Sequence, residues 1–286
     1  LKQDPTMMIF NQFAEMGNPL WHYNVTGYAL ADLFEAVKKP GQNFAGACFT
    51  SGSAGTMSAG DLLKERYPHL KLAVGEALQC PTILDNGFGG HRIEGIGDKH
   101  IPWIHNVKNT DMAIAIDDED SQRLLRLFNT PEGQKYMKDE LGMSDEEVQK
   151  MTWLGISGIA NVLCCIKMAK YYELTEDDVV CTVLTDSAVM YGSRIEELNE
   201  RSAGSIHAPA ARYQMTSPPP AKVIFPSFCR IGASTADSVI LPVRIWYFSL
   251  HRELIRGKRQ WSTRDLITDT AKAVSAAWMS VRLTLW

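Results

Sequence analysis

The stretch FAGACFTSGSAGTMSAGDLLKER, residues 44–66, is the most informative part of the chain, because it joins an apolar strand to a helix through a turn of small residues. Residues 44–49 are strand-like, and residues 57–66 have a helical pattern. Between them lie Ser, Gly and Ala residues closed by Thr56. Backbone amides at such a turn can converge on an anion, and the N-terminus of a helix favours negative charge. The stretch therefore predicts a phosphate-binding loop over residues 50–56, with a purely structural turn as the alternative.

The overall composition is that of an ordinary globular protein. The chain has 286 residues, of which 45% are hydrophobic and 22% are charged, and its net charge is -4. These values are typical of one large or two modest domains. No run of about 18 consecutive apolar residues occurs, so we expect neither a membrane span nor a membrane partner. The chain begins Leu-Lys-Gln-Asp-Pro, without an initiator Met or an apolar signal segment, which predicts a fragment of a cytoplasmic protein.

The cysteines do not form a recognisable metal-binding or disulfide pattern. None of the six belongs to a CxxC pair, and most lie within apolar runs. This favours buried free thiols of a cytosolic protein over zinc ligation or disulfides. The six residues are Cys48, Cys80, Cys164, Cys165, Cys181 and Cys229.

Charge is distributed unevenly along the chain. Residues 203–286 contain 11 Lys and Arg against 4 Asp and Glu, whereas residues 1–202 contain 18 against 29. A basic segment can bind nucleic acid, but this one has no basic helix face and no recognisable nucleic-acid motif. We therefore expect no nucleic-acid partner.

Up to residue 202, strand-like and helical patterns alternate. This order predicts right-handed βαβ units and hence an α/β fold with an open, mostly parallel sheet and helices on both faces. Capping residues are expected at Asp117 or Asp118, Thr130 and Ser144. Strands are predicted at 44–49, 70–75, 112–116 and 179–184, and helices at 29–37, 57–66, 118–128, from 131, from 145 and at 156–172.

Beyond about residue 202 the alternation stops. Ser217-Pro218-Pro219-Pro220 interrupts the chain, and a helical pattern returns only weakly at 265–281. We therefore predict an α/β domain over residues 1–201 and a separate tail over residues 202–286. We hypothesise that the abrupt change reflects a shift of reading frame near residue 201, or disorder.

Two further segments are predicted at the carboxyl edge of the sheet, where open α/β sheets bind their ligands. Thr185-Asp186-Ser187 follows the last strand and offers a hydroxyl group to a heterocyclic nitrogen, although these residues can equally cap the next helix. The turn Leu154-Gly155-Ile156-Ser157-Gly158 enters the helix at 156–172. Its glycines permit either the close approach of a ligand or close helix packing. The pattern alone leaves both alternatives open for this turn, whereas at residues 185–187, taken alone, it favours capping.

Several common sites are not supported. Residues 50–56 lack the Lys-Ser/Thr of a P-loop and the spacing of the dinucleotide motif GxGxxG. Gly87-Phe88-Gly89-Gly90 also lacks that spacing and is interpreted as a loop. His91, His100 and His105 have no carboxylate or Cys partner at a helical spacing, so we expect no metal site. GxSxG and HExxH are absent, which leaves hydrolases without support.

Taken in order, the segments resemble fold-type II enzymes that depend on pyridoxal 5'-phosphate (PLP), in particular the cysteine synthases and cystathionine β-synthases. Five segments over about residues 9–195 carry the resemblance, and their common order is more specific than any one of them. They are Asn11-Gln12-Phe13 with Asn18-Pro19 to Thr26-Gly27, the loop Gly52-Ser53-Ala54-Gly55-Thr56 with Leu63 to Pro68, His91 to Gly97 with Ile101-Pro102, Leu154 to Gly158, and Thr185-Asp186-Ser187.

The resemblance implies a role for each matched residue. Ser187 would bond to the pyridine nitrogen, where a neutral hydroxyl suits β-elimination and β-replacement. Gly155 would line the cofactor face, and Gln12 would contact the substrate carboxylate. Two loop residues depart from the family's usual Thr and Gly, and the methyl group of the second, Ala54, is expected to crowd the phosphate. The phosphate would be held by Gly52, Ser53, Ala54, Gly55 and Thr56.

The resemblance also implies an activity for the intact parent protein. This is PLP-dependent β-elimination or β-replacement on serine, O-acetylserine or a similar amino acid, with a thiol or sulfide as nucleophile, in a homodimer. The Schiff-base lysine of these enzymes lies in an N-terminal segment that the sequence lacks. No catalytic residue is therefore assigned, and the fragment by itself is expected to be inactive. A serine/threonine dehydratase-type lyase and a non-catalytic pseudoenzyme are the alternatives.

Overall fold

The computed structural model describes residue 4, residues 6–202 and the short segments 222–224, 230–232 and 244–245. Its helices are α1 (Gly17–Trp21), a π-helical turn (His22–Gly27), α2 (Tyr28–Val37), α3 (Met57–Arg66), α4 (Asp118–Asn129), α5 (Pro131–Asp139), α6 (Asp145–Met151), α7 (Ile156–Tyr171) and α8 (Gly192–Ser202), with 3-10 turns at Val107–Asn109 and Ala188–Tyr191. Its strands are β1 (Asn43–Thr50), β2 (Lys71–Ala77), β3 (Met112–Ile116), β4 (Asp178–Cys181), β5 (Lys222–Ile224), β6 (Arg230–Gly232) and β7 (Arg244–Ile245).

Five strands form a parallel sheet in the order β3-β2-β1-β4-β7. Each pair of neighbours in this sheet is parallel. Helices connect β1 to β2 and β3 to β4, whereas the long connection from β2 to β3 holds only the 3-10 turn Val107–Asn109. In the register of the central strands, Cys48 of β1 lies opposite Ala73 of β2. Strands β5 and β6 form a separate antiparallel pair. The predicted open α/β fold with a mostly parallel sheet is confirmed.

Helices cover both faces of the sheet, so its strands are apolar on both sides. Alternate residues of β3 show the arrangement, because successive side chains of a strand point to opposite faces. Met112 and Ile114 pack in a buried cluster with α4 and α7. Ala113 and Ala115 pack in a second buried cluster with α2 and α3. The long apolar helix α7 is central, as predicted.

The predicted helix caps are confirmed. The Asp117 side chain accepts a hydrogen bond from the amide of Glu119 at the start of α4. The Thr130 side chain caps α5, whose first residue is a proline. Ser144 and Glu147 form a reciprocal capping box at α6. Local hydrogen bonding of this kind can be recognised in a sequence because both partners lie within one helical turn.

The last strand of the α/β region is shorter than predicted. The apolar run predicts a strand over residues 179–184, whereas β4 ends at Cys181. Past that point the carbonyl of Val183 accepts a hydrogen bond of 2.8 Å from Asn161 Nδ2. The Asn161 side chain therefore satisfies a backbone carbonyl that a neighbouring strand would satisfy if β4 continued.

The helix predicted at 29–37 also begins earlier than expected. It continues upstream through the π-helical turn to α1. Gly27 and its polar neighbours have low helix propensity, so the sequence pattern did not predict a helix before residue 29. Tertiary packing accounts for the helix, since a methyl group on Gly27 would lie 2.8 Å from Leu62 Cδ2 of α3. The glycine thus allows the two helices to approach closely.

The remaining predictions on organisation have mixed outcomes. Five cysteines are buried and free as predicted, whereas Cys229 lies outside the described residues. The predicted helix at 265–281 also lies outside them, and the domain boundary at residue 201 stays a prediction. No single helix in the described part of the chain is long and apolar enough to cross a bilayer, and α6 with α7 reaches that size only as a pair bent by 105°.

Candidate functional site

The loop between β1 and α3 presents a row of free backbone donors. At its ends, the Ser51 amide donates to the Gly75 carbonyl at 2.9 Å, and the Met57 amide donates to the Ala54 carbonyl at 3.1 Å. Within the part of the chain that the structure describes, the five amides of residues 52–56 have no protein acceptor. They lie at the N-terminus of a ten-residue helix, where the helix dipole favours an anion. The geometry suits a phosphate group.

The backbone of this loop explains one departure from the family pattern. Ala54 has φ +66°, a left-handed conformation that is costly for residues other than glycine. The usual glycine of the resembling loops would adopt it without strain. At the next position only glycine fits, since a methyl group on Gly55 would lie 2.2 Å from Asn18 Oδ1 and 2.8 Å from His22 Cδ2.

Asn18 joins the N-terminal segment to the loop. Its Nδ2 atom lies 3.0 Å from the Gln12 carbonyl oxygen and 3.0 Å from Ser53 Oγ. The predicted residues Gln12 and Ser53 are therefore brought together through a side chain that was not itself predicted. The Gln12 side chain is exposed. The only sequence signal for Asn18 is its place in the Asn18-Pro19 pair of the family-like stretch.

Ser187 follows β4 at the same edge of the sheet and has a free hydroxyl. It starts the 3-10 turn Ala188–Tyr191, but its side chain makes no capping hydrogen bond, so the capping alternative is wrong for this residue. No hydrogen-bond partner of the Ser187 hydroxyl occurs among the described residues. The hydroxyl is therefore available to a ligand.

The turn at Gly155 contacts the segment that holds Ser187. The Gly155 amide donates to the Asp186 carbonyl at 3.0 Å, and a methyl group on Gly155 would lie 1.9 Å from Asp186 Oδ1. Asp186 in turn accepts a hydrogen bond from the Tyr191 hydroxyl. The close approach of the Asp186 carboxylate therefore explains the glycine at position 155. The sequence pattern did not reveal this contact.

Asn161 ties the two strand ends together, and sequence reasoning missed it. The side chain is buried on α7; its Oδ1 accepts from the Thr50 amide at 2.7 Å, and its Nδ2 donates to the Val183 carbonyl at 2.8 Å. One planar amide therefore sets the spacing between the end of β1 and the chain leading to Ser187. A polar residue within the mostly apolar α7 was the available signal.

The loop that follows β2 lies against residues 51–52 of the loop between β1 and α3. The Gly97 amide donates to the Ser51 carbonyl at 2.8 Å. A methyl group on Gly52 would lie 3.1 Å from the Gly95 carbonyl oxygen. The His91–Gly97 segment of the family resemblance therefore borders the candidate site directly, although it contributed no residue to the predicted set.

Burial shifts the charge states of three groups near this edge of the sheet. Burial lowers the pKa of His22, whose Nδ1 lies 2.9 Å from Thr26 Oγ1, so the ring is neutral at pH 7. Burial also lowers the pKa of Lys167, whose Nζ donates to the Ala115 carbonyl at 2.7 Å. Burial raises the pKa of Glu76 to about 7.

The three histidines considered for metal binding have separate partners. His91 Nδ1 accepts from the Ile93 amide, His100 lies beside Asp98, and His105 pairs with Thr110. No group of three or more His, Cys, Asp or Glu side chains in the described part of the chain could hold a metal ion.

Comparison with known proteins relates this arrangement to a group of enzymes. No protein-family model matches the chain. A probable cysteine synthase of Bacillus subtilis is 32% identical over 133 residues, which are 46% of this chain and 42% of that protein. The O-acetylserine dependent cystathionine beta-synthase of Helicobacter pylori has 26% identity and a TM-score of 0.50, covering 67% of this chain and 54% of its own.

A hydrogen sulfide-producing enzyme of Fusobacterium nucleatum shares the fold, with a TM-score of 0.54 and 23% identity over 68% of this chain and 52% of its own. The chain spans about half the length of the curated relatives it matches. Over about half to two thirds of its own length, the chain is similar to proteins named cysteine synthase and cystathionine beta-synthase.

Proposed function

We propose that the loops at the carboxyl edge of the sheet form the phosphate and ring-nitrogen side of a PLP site. The observation that carries the proposal is the row of five amides at residues 52–56, which precede α3 and have no acceptor among the described residues. A dianionic phosphate supplies acceptors for several such donors, and charge-assisted hydrogen bonds of this kind are strong.

The side chains of the loop support the same assignment. Ser53 Oγ accepts a hydrogen bond from Asn18 Nδ2, which leaves its own proton free to donate to a phosphate oxygen. Thr56 closes the loop directly before α3. A methyl group on Gly55 would overlap Asn18 Oδ1 at 2.2 Å, and one on Gly52 would be tight against the Gly95 carbonyl oxygen at 3.1 Å, so glycine suits both positions of the loop.

The pyridine nitrogen is assigned to Ser187. Its neutral hydroxyl has no partner among the described residues, and it lies six residues beyond Cys181, the last residue of the strand that neighbours β1. A hydroxyl, unlike a carboxylate, does not hold a proton on the ring nitrogen. The PLP group, when bound, withdraws electrons from the α-carbon of an amino acid. The weaker withdrawal by a neutral ring suits loss or exchange of a group on the β-carbon.

The substrate is proposed to be an amino acid with a leaving group on its β-carbon, such as serine or O-acetylserine. Gln12 is assigned to its carboxylate, because its exposed amide lies on the segment that Asn18 fastens to the loop. Gly155 is assigned to the cofactor face. The proposed activity is therefore β-elimination or β-replacement, carried out by the protein of which these residues form part, as a homodimer.

The test is a binding titration of the 286-residue chain with PLP, pyridoxal and inorganic phosphate, followed by equilibrium dialysis. We expect PLP to bind on the order of tenfold or more tightly than pyridoxal, because only PLP offers an anion to the loop. Equal affinity for PLP and pyridoxal would exclude a phosphate site.

A pair of variants tests the assignment of Ser187. Ser187→Asp places a carboxylate at the ring nitrogen and is expected to change the absorbance spectrum of bound PLP by protonating the ring. Ser144→Asp is the matched control, since Asp also caps a helix well and α6 lies elsewhere in the fold. Identical spectra for the two variants would remove Ser187 from the site.

A further inference from the structure

The buried carboxylate of Glu76 anchors the start of the loop that borders the phosphate-binding loop. Glu76 lies near the end of β2 and is only 3% exposed. Its Oε2 accepts from the Ile83 amide at 2.9 Å, and its Oε1 accepts from the Leu84 amide at 2.8 Å. Each carboxylate oxygen therefore holds one of two successive amides, an arrangement that an uncharged amide side chain cannot reproduce.

The segment that Glu76 anchors is closed on itself and packed into the core. The Thr82 hydroxyl lies within hydrogen-bond distance of the carbonyls of Asp98 and Gly87, so the two ends of the segment are joined. Ile93 is fully buried. The segment from 78 to 98 is therefore a shaped element even though it contains no helix or strand.

The far end of this segment supports the phosphate-binding loop. The Gly97 amide donates to the Ser51 carbonyl, and the Gly95 carbonyl oxygen lies 3.1 Å from the position that a Cβ atom on Gly52 would take. Ser51 directly precedes the free amides, and Gly52 carries the first of them. A displacement of the segment would therefore change the direction in which these amides point.

We propose that Glu76 is a positioning residue for the anion-binding loop: it fixes the 78–98 segment, which in turn holds residues 51–52 and the amides that follow them. The inference rests on the proposed function only in taking the anion to be the phosphate of PLP. Glu76 touches no ligand in this scheme and acts through the backbone of the segment.

The experiment compares Glu76→Gln with a matched control, Asp111→Asn. Asp111 is also a carboxylate that accepts a backbone amide, that of Leu72, but at the opposite edge of the sheet. At pH 8, where the Glu76 carboxyl group is mostly ionised, we expect Glu76→Gln to weaken PLP binding on the order of tenfold, because one of two hydrogen bonds to a charged group is lost. Asp111→Asn should leave the affinity for PLP unchanged.

Amide hydrogen exchange of the ligand-free chain provides a second readout, which a general loss of stability would not reproduce. Glu76→Gln should speed exchange at Gly97 as well as at Ile83 and Leu84, whereas Asp111→Asn should not. A Thr82→Val variant, which opens the segment at its other closure, is expected to act in the same direction on PLP affinity.

The possible results separate the two proposals. If the unchanged chain fails to bind PLP, the proposed function fails and the inference falls with it. If the unchanged chain binds PLP and Glu76→Gln binds it equally well, or if exchange at Gly97 is unaffected, the inference alone is overturned.

Discussion

The polar groups at the two edges of the central sheet differ in whether they have hydrogen-bond or ion-pair partners within the protein. At the amino edge, the Asp111 carboxylate accepts from the Leu72 amide at 2.8 Å and pairs with Lys64 Nζ at 2.7 Å. Asp178, the first residue of β4, is held by both the amide and the hydroxyl of Thr175. At the carboxyl edge, the donors of residues 52–56 and the Ser187 hydroxyl lack acceptors among the described residues.

The difference shows that polar groups at one edge of the sheet stabilise the fold, whereas those at the other edge are available for binding a ligand. Hydrogen-bond donors left without a protein partner carry a free-energy cost that a ligand can offset. Groups already saturated within the protein have nothing to offer a ligand. Ion pairs and hydrogen bonds within the protein occupy the polar groups named at the amino edge, whereas the amides of residues 52–56 and the Ser187 hydroxyl have no acceptor among the described residues.

The largest expected effect is a pH dependence of opposite sign at the two edges. At the carboxyl edge, burial raises the pKa of Glu76 from 4.5 to about 7. The folded state then holds its proton more tightly than the unfolded state, so stability falls as the pH rises from about 4.5 to about 7. Near the amino edge, burial lowers the pKa of His105 from 6.5 to about 4. Stability there falls as the pH drops from about 6.5 to about 4.

Each contribution amounts to about 3 kcal/mol at most. Glu76→Gln should flatten the first dependence and His105→Gln the second, as measured by urea unfolding of each variant and the unchanged chain from pH 4 to pH 8. Stability profiles of both variants that run parallel to the profile of the unchanged chain would contradict the assigned charge states.

A somewhat smaller effect is expected from two glycines three residues apart. A methyl group on Gly155 would collide with Asp186 Oδ1 at 1.9 Å, whereas on Gly158 its nearest neighbour would be Leu184 Cδ2 at 3.5 Å. Gly155→Ala should cost about 1–3 kcal/mol of stability and weaken PLP binding, because Asp186 must move. Gly158→Ala should be neutral or slightly stabilising, since alanine is the better helix former.

Urea unfolding and PLP titration of both glycine variants provide the measurement. Equal losses of stability and of PLP affinity in the two variants would show that close contact with Asp186 is not the reason for a glycine at position 155.

The smallest effect concerns strain at the open edge. Ala54 has φ +66°, while the buried Ala31 lies in the regular helix α2. Ala31→Gly should cost about 1 kcal/mol, as glycine does in a helix interior. Ala54→Gly should change stability by less than that, or increase it, because glycine relieves the left-handed conformation. Thermal unfolding of the two variants provides the measurement. A larger loss of stability for Ala54→Gly than for Ala31→Gly would argue against strain in the loop.

Much of the fold follows from local patterns, which explains what the sequence could predict. Strands such as 112–116 and caps such as Thr130 depend on neighbours within a few residues, and the structure has them as predicted. The strand, the small-residue turn and the helix around residues 50–56 belong to the same class, since they follow one another directly, whereas phosphate binding by this turn stays a prediction.

The connections that shape the site depend on distant residues and could not be predicted in this way. Asn18 reaches Ser53 across 35 positions, and Asn161 reaches Thr50 across 111. The anchoring role of Glu76 depends equally on how its loop folds back. A hydroxyl group before a helical turn can either cap the turn or bind a ligand, so the sequence could not exclude capping by Ser187. The structure excludes it, because the Ser187 side chain makes no capping hydrogen bond.

The buried amide of Asn161 has a consequence for the order in which the protein is assembled. It contacts the end of β1 and the chain beyond β4, so these two segments gain their final separation only after α7 has docked between them. Contacts across such long stretches of chain form late and slowly compared with local turns. Ligand binding by this protein should therefore follow the completion of its long-range topology, and a refolding chain should recover helical signal before it recovers affinity.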